Sequence, residues 1–263
     1  MAHLTKDKGD LAVAKAIAHL LEHGIHVCLP LSEHLPFDLI AVMPDMVTLK
    51  RVQVKYRTLE NGFVPFSFRS NYYNSKRIYT VKVDLSQLDA YATFCPETDT
   101  VYYLRVDEIP TDAVALRMRV TPPKNGQKKG IWLAQNYLDP YRIANSAYKI
   151  ECSPRSLTEP IQLAIAHVEI DLLQQGWYTC SPQRWAAPFD LIAVSADMQR
   201  LLRVRVGFRQ ANATTFTDVY ALYQPDDHSV RYLSAEHVPT ADQYVGGEAH
   251  PAMSPLLEVA LAG

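Results

Sequence analysis

Pro36-Phe37-Asp38-Leu39-Ile40-Ala41-Val42 recurs unchanged at 188–194, an offset of 152 residues. At the same offset Gly24 meets Gly176, Cys28 meets Cys180, Asp45-Met46 meets Asp197-Met198 and Arg51-Val52 meets Arg203-Val204. Seven consecutive identities inside a longer match mean that one supersecondary unit is built twice. Further along, Tyr103-Leu104 meets Tyr232-Leu233 and Pro110 meets Pro239, now at an offset of 129. The second copy is therefore shorter by 152 minus 129, or 23, residues between the two sets of matches. The repeat predicts two domains, 1–150 and 151–263, with a boundary near 145–157, where Asn145, Ser146, Ser153, Pro154 and Ser156 read as a linker.

Within the first copy, apolar residues at 13, 17, 20 and 21 give a helical period over 10–23, and Gly24 is suited to the C′ position. Residues 25–29 read as a short strand. The runs 37–42 and 49–56 are rich in β-formers and flank the turn-like Met43-Pro44-Asp45, which predicts a hairpin. Residues 79–94 suit a strand followed by irregular structure, and 100–106 another strand. A helix followed by strands and mixed elements points to an α/β class, with a mixed central sheet flanked by helices in each copy.

The net charge of −2 argues against a polyanion-binding protein, but it averages two unlike halves. Residues 1–150 hold 19 Lys+Arg against 15 Asp+Glu; residues 151–263 hold 7, all arginine, against 13. A nucleic-acid contact is thus expected in the first half. Between Lys50 and Lys82 stand eight basic residues, Lys50, Arg51, Lys55, Arg57, Arg69, Lys76, Arg77 and Lys82, against at most two acids. Asn71, Tyr72, Tyr73, Asn74 and Ser75 lie among them, and charge mixed with polar and aromatic reach is the footprint of a DNA-contacting loop or ribbon. Arg57, Arg69, Asn71, Tyr72, Tyr73, Asn74, Lys76 and Arg77 are the expected contacts. The 23 residues missing from the second copy fall in this region. No apolar run approaches the ~18 residues of a membrane span, and nothing at the start of the chain resembles a secretory signal. Cys28, Cys95, Cys152 and Cys180 form no CxxC pair, which fits a reducing cytoplasm.

Chemistry concentrates in the expected hairpin. Pairing Val42 with Leu49 sets Asp38 opposite Gln53, and alternation puts Gln53 and Lys55 on one face with Val52 and Val54 on the other. Asp10 falls on the stripe of Val13, Ile17 and Leu21, so it is expected to point inward from the helix start. Two oxygen ligands supplemented by water suit Mg2+, with Mn2+ able to substitute, and Lys55 could orient a water or stabilise a charged transition state. Read alone, Asp38, Gln53 and Lys55 also fit the solvent face of a hairpin. His19 and His23 share an i, i+4 spacing, but no acid completes a zinc pattern with them or with His26.

Gly9-Asp10, Phe37-Asp38 and Gln53-Val54-Lys55, in that order, resemble the motif of the PD-(D/E)XK nuclease superfamily. More narrowly they are similar to the group I intron-associated homing endonucleases of that fold, in which Gln can replace the second acid before x-Lys. The run from Tyr91 to Tyr103 and the stretch 117–137, with Lys124-Asn125-Gly126-Gln127, share that likeness, which covers about residues 4–140. The resemblance implies a restriction-endonuclease-like fold and a metal-dependent hydrolase of double-stranded DNA. It implies Asp10, Asp38 and Gln53 as metal ligands and Lys55 as the catalytic lysine. Asp10 departs from the pattern, where Glu is commoner.

In the second copy Asp190 remains, but Gln53 becomes Arg205, Lys55 becomes Gly207 and Asp10 becomes Gln162. That copy is expected to be catalytically dead, to retain Asp190 for its fold, and to act as an intramolecular pseudo-dimer partner; homodimerisation stays open. A repair or junction-resolving nuclease, or a non-catalytic DNA- or protein-binding scaffold, are the alternative readings.

Overall fold

The computed structural model describes residues 4–73, 78–123, 127, 130–144, 159–183, 187–208 and 216–235. Helix α1 (Leu4–Glu22) is followed by β1 (His26–Pro30), β2 (Leu39–Val42), β3 (Leu49–Tyr56), β4 (Phe63–Ser67), β5 (Arg69–Tyr73) and β6 (Ile78–Lys82). Next come β7 (Ala90–Cys95), β8 (Thr100–Arg105), β9 (Ala115–Arg119) and β10 (Trp132–Leu133). The later elements are α2 (Glu159–Gln174), β11 (Tyr178–Pro182), β12 (Leu191–Val194), β13 (Leu201–Gly207), β14 (Val219–Tyr223) and β15 (Val230–Ser234). This is the mixed α/β architecture expected of the class. The expected linker at 145–157 lies outside the described residues, as does Cys152.

Two units emerge from the packing. One comprises Met1–Ile25, Pro36–Pro44 and Lys50–Tyr148; the other comprises His26–Leu35, Asp45–Leu49 and Lys149–Gly263. In the first, the strand order is β2-β3-β7-β8, with β3 and β7 parallel and β7 and β8 antiparallel. A small sheet of order β10-β9-β4 and the two-stranded ribbon β5-β6 complete it. In the second, the order is β15-β14-β13-β12-β11-β1.

The two offsets seen in the sequence reappear as strand registers. Val52 faces Ala90 where Val204 faces Val219, and Ala90 faces Arg105 where Val219 faces Ser234. Asp38 N–H donates to Val52 O at 3.0 Å, as Asp190 N–H does to Val204 O at 2.9 Å. In the second unit Val194 faces Leu201, which the 152-residue offset translates into the Val42–Leu49 register expected for the hairpin. Strand β1 pairs with β11 so that Cys28 faces Pro182 and Pro30 faces Cys180, a register that maps onto itself under the same offset. The shortening also has an address. From Tyr56 to Ala90 the chain builds β4, β5 and β6 in residues 57–89, whereas at the matching place in the second copy only residues 209–218 separate Phe208 from Val219.

Both helices end alike. Gly24 and Gly176 take φ of +70° and +82°, and Ile25 and Trp177 N–H groups reach back to Leu20 O and Leu172 O. Only a residue without Cβ turns the chain this way without strain. The buried stripe of α1 is Ala12, Ala16 and Leu20, matched by Ala164, Val168 and Leu172 on α2. This corrects the expected phase: the stripe carrying Asp10 is not the buried one, and Asp10 is exposed. Among the described residues no helix is long and apolar enough to cross a membrane.

The repeated Arg-Val pair has a packing reason. Arg51 N–H and Nε both donate to Asp89 Oδ2, at 2.8 and 2.9 Å; Arg203 N–H and Nε both donate to Asp218 Oδ2 at 2.8 Å. Each bridge ties the edge of β3 or β13 to the residue preceding the next parallel strand. Arg51 is therefore a fold residue rather than one of the free cations of the basic run. Arg51→Ala and Arg203→Ala are each expected to destabilise the protein by about 1.5–3 kcal/mol, the range for hydrogen bonds to charged groups. Urea titration measures this, and a neutral Arg203→Ala would remove the bridge from the fold's supports.

Candidate active site

Asp38 stands at the entry to β2, and its backbone and side chain both bond to β3. While its N–H donates to Val52 O, its Oδ2 accepts the Val54 N–H at 2.5 Å. The carboxylate thus continues the ladder one step beyond the strand. Asp190 does the same in the second unit, accepting the Val206 N–H at 2.7 Å. The carboxylate that both copies hold makes the same bond in each.

Burial pushes the Asp38 carboxyl above its usual range, opposed by the bond from Val54 and by the Lys55 charge. For Lys55 burial acts in the opposite direction and lowers its pKa; Asp38 raises it and Arg57 lowers it. The two side chains therefore sense each other in a poorly solvated place. The face they share continues onto β7, where Tyr91 lies opposite Gln53 and Thr93 opposite Lys55. Among the described residues, Gln53 Oε1, Tyr91 Oη and Thr93 Oγ1 are buried without a hydrogen-bond partner. Buried polar atoms in native proteins rarely lack partners, so three on one face mark a surface built to meet something else.

That surface fits a hard cation in part. Gln53 Oε1 and the second oxygen of Asp38 are oxygen donors, the type that Mg2+ prefers. Among the described residues no group of three or more His, Cys, Asp and Glu is close enough to enclose a metal. Asp10 does not join the cluster. Helix α1 lies over the opposite face of the sheet: Lys8 sits over the Tyr56 ring at 5.6 Å, Lys15 over Phe94 at 5.4 Å, and His19 bonds Tyr103 at 2.9 Å. Tyr56 and Phe94 face away from Gln53 and Lys55 by strand alternation. No second carboxylate contributes to the shift at Asp38. The start of α1 is nonetheless beside the end of β3, through the Lys8–Tyr56 contact.

The histidines are committed otherwise, His19 to Tyr103 and His23 to the backbone oxygen of His19. Of the expected DNA contacts, Arg57 is half-buried and donates to Tyr56 O at 3.2 Å, and Arg69 is exposed at the start of β5. Asn71, Tyr72 and Tyr73 lie along the backbone of the β5–β6 ribbon, where Asn71 pairs with Thr80 and Tyr72 with Tyr79. Asn74, Lys76 and Arg77 lie outside the described residues, as do Lys124, Asn125 and Gly126.

A family model for the PD-(D/E)XK endonuclease matches residues 3–140, more than half of the chain. The chain belongs to the PD-(D/E)XK endonuclease family. Among solved structures it is similar to a bacterial homing endonuclease, I-Ssp6803I, at 23% identity and a TM-score of 0.44, over 53% of this chain and 91% of that one. No curated protein matches. Asp38, Gln53 and Lys55 all fall within the matched residues. Tyr91 and Thr93 escaped the sequence reading. The signal that could have found them is the 129-residue offset, which sets Tyr91 against Tyr220 and Thr93 against Leu222.

In the second unit, Arg205 occupies the Gln53 position. Its Nη1 donates to Pro188 O at 2.9 Å, and its Nε is 3.8 Å from Asp190 Oδ2. Gln162, at the Asp10 position, is exposed.

The two roles of Asp38 separate by substitution. Asparagine retains an oxygen for the Val54 N–H and removes the charge that burial penalises. Because the folded carboxyl titrates above its unfolded value, that penalty is absent below the unfolded pKa and complete above the folded one. At pH 7 Asp38→Asn is therefore expected to melt at or above the wild-type temperature. Asp38→Ala strands the Val54 N–H and is expected to cost about 1–3 kcal/mol. Equal damage by Asn and Ala in thermal melts would remove the ladder-closing role.

Proposed function

We propose that the chain is a divalent-metal-dependent endonuclease of double-stranded DNA, homing-endonuclease-like, with one active site per chain. The observation that carries this reading is the buried Gln53 Oε1, without a hydrogen-bond partner among the described residues, on a face shared with Asp38 and Lys55, in a segment that resembles the family motif. Asp38 and Gln53 would hold the cation, Mg2+ or Mn2+, completed by water and by phosphate oxygens, and Asp10 would approach from the start of α1. Such a cation neutralises charge on the scissile phosphate. Water forms the new bond to phosphorus, the scissile P–O bond breaks, and the leaving oxygen takes up a proton. Lys55, cationic beside Asp38, directs hydrogen bonds at the attacking water or at the charge that builds on the phosphate.

The β5–β6 ribbon supports a DNA contact, because a two-stranded ribbon fits the major groove. Arg57, Arg69, Asn71, Tyr72, Tyr73, Asn74, Lys76 and Arg77 are its proposed contacts. Residues 151–263 form a non-catalytic copy on this reading, one that stands in the role of a second subunit. What supports that is the matching registers together with Arg205 against Asp190 and Gly207 in place of Lys55. A purely scaffolding role is the reading to set against it for that half.

Purified protein is incubated with supercoiled plasmid, with Mg2+, Mn2+ or EDTA, beside Lys55→Ala. Metal-dependent conversion to open-circular DNA that falls by about a hundredfold or more in Lys55→Ala is expected, the scale of losing a group that stabilises transition-state charge. Equal cleavage by the variant would assign the activity elsewhere. Salt-dependent DNA binding with no cleavage of random-sequence libraries in any metal would favour the scaffold.

A further inference from the structure

Tyr103 is fully buried in β8, and its hydroxyl hydrogen-bonds His19 Nδ1 on α1 at 2.9 Å. The two rings stack, with 5.6 Å between centroids and 22° between planes. His23, one turn along the helix, packs its ring 4.4 Å from that of His19 and donates from Nδ1 to His19 O at 2.8 Å. Tyr141, in the 3-10 turn Pro140–Ile143, donates its hydroxyl hydrogen to His23 O. Two histidines thus tie the last turns of α1 to β8 and to the segment that follows β10.

The second unit makes the same tie without an imidazole. The offsets of 152 and 129 set Asp171 at the place of His19, Gln175 at that of His23 and Tyr232 at that of Tyr103. Tyr232 Oη and Gln175 Nε2 both donate to Asp171 Oδ2, each at 2.5 Å. Helix and sheet are joined at matching positions in both units, and the acceptor differs. An ionised carboxylate only accepts. A histidine nitrogen accepts only while the ring is neutral, and both nitrogens become donors once it is charged. Imidazole is also the side chain that changes charge between pH 5 and 8.

We propose that His19 is an acid-labile latch of the first unit: its neutral Nδ1 accepts the Tyr103 hydroxyl hydrogen, and its protonation releases the end of α1 from β8 while the matching tie in the second unit holds. A charged ring can still donate to the hydroxyl oxygen. The hydroxyl hydrogen then lacks its acceptor in a fully buried place, and Tyr103 makes no second side-chain hydrogen bond among the described residues. Burial holds the His19 ring below the ordinary histidine range; His23 acts in the same direction, and Glu22 and Asp139 act against it. By strand alternation β7 turns Ala90, Ala92 and Phe94 to this face, and β8 turns Val101, Tyr103 and Arg105. The remaining charges there are paired, Arg105 with Asp107 at 2.8 Å and Lys15 with Asp99 at 2.7 Å. Because the folded ring titrates below its unfolded value, the latch contributes fully above about pH 6.5 and is lost as pH falls from there through the lowered folded value.

Hydrogen exchange of the full chain, read by mass spectrometry at pH 7.5 and 5.5 and corrected for intrinsic rates, tests this in wild type and His19→Gln. Glutamine offers Tyr103 an acceptor that does not titrate. In wild type, peptides of residues 11–22 are expected to lose protection at pH 5.5, by at most about tenfold per pH unit, the limit for one proton. Peptides of residues 163–174 are expected to keep theirs, and His19→Gln is expected to abolish the loss in 11–22. An equal loss in wild type and His19→Gln would overturn the proposal, as would wild-type protection that does not change with pH. Should the variant fail to fold, NMR of the wild-type ring decides: a His19 imidazole that titrates at or above about pH 6.5 overturns the latch, and one that titrates below it supports it. These outcomes do not depend on whether the protein cleaves DNA.

Discussion

One oxygen of Asp38 accepts the Val54 N–H, and much of the first unit's site follows from that bond. It closes the ladder where the chain enters β2, so the carboxylate is fixed by backbone geometry rather than by a choice of rotamer. That bond leaves the second oxygen unused, and Gln53 stands on the adjoining strand. A fold requirement and a chemical opportunity therefore coincide on one residue. In the second unit they come apart. Asp190 makes the same bond with Val206, although the partners that chemistry would need are missing. An aspartate at this point in a sequence is consequently informative about the hairpin and says little about catalysis until residues 53 and 55 are read with it.

Electrostatics separates the two units without changing their charge count. Asp38, Gln53 and Lys55 carry one negative and one positive charge, and so do Asp190, Arg205 and Gly207. The difference is where the cation is anchored. In the second unit it sits at the position of the neutral amide, held by Pro188 O, with Asp190 within ion-pair distance. Asp190 thus has a permanent counter-charge. In the first unit the neutral amide gives Asp38 no such counter-charge, and burial already penalises that carboxylate. On the reading proposed above, a cation from outside would complete such an arrangement, and Lys55, two residues further along the strand, would be left to serve another purpose.

What was legible in the sequence was the part with short-range periodicity. The β-rich runs 37–42 and 49–56 around a turn gave the hairpin, alternation in 49–56 gave the shared face of Gln53 and Lys55, and the offsets of 152 and 129 are matched by like registers in the two units. The phase of α1 was not legible because Leu11, Ala12, Val13, Ala14, Ala16, Ile17, Leu20 and Leu21 leave more than one apolar stripe. The buried one is built on small residues, Ala12 and Ala16, and scales that weigh large side chains favour the wrong face. The sheet of β4, β9 and β10 was hidden for a different reason. β4 and β9 join residues 48 (115 minus 67) to 56 (119 minus 63) positions apart, and Pro65 in β4 argues against a strand unless that strand is at an edge, which it is. Thr93 was not legible within its own strand, because a β-branched residue is at home there whatever its hydroxyl meets.

The placement of Asp10 bears on how the proposed site would work. Since α1 covers the Val52 and Val54 side of β3, a carboxylate from that helix reaches the Gln53 and Lys55 side only around the end of the strand, where Lys8 lies over Tyr56. As folded, the cluster offers a single carboxylate and an amide oxygen. Magnesium held by so few protein oxygens keeps most of its water and depends on phosphate oxygens for the remainder. On the reading proposed above, cation and DNA would then complete each other's binding site. Aspartate, one methylene shorter than the commoner glutamate at this position, strengthens that dependence, because it reaches less far around the strand's end.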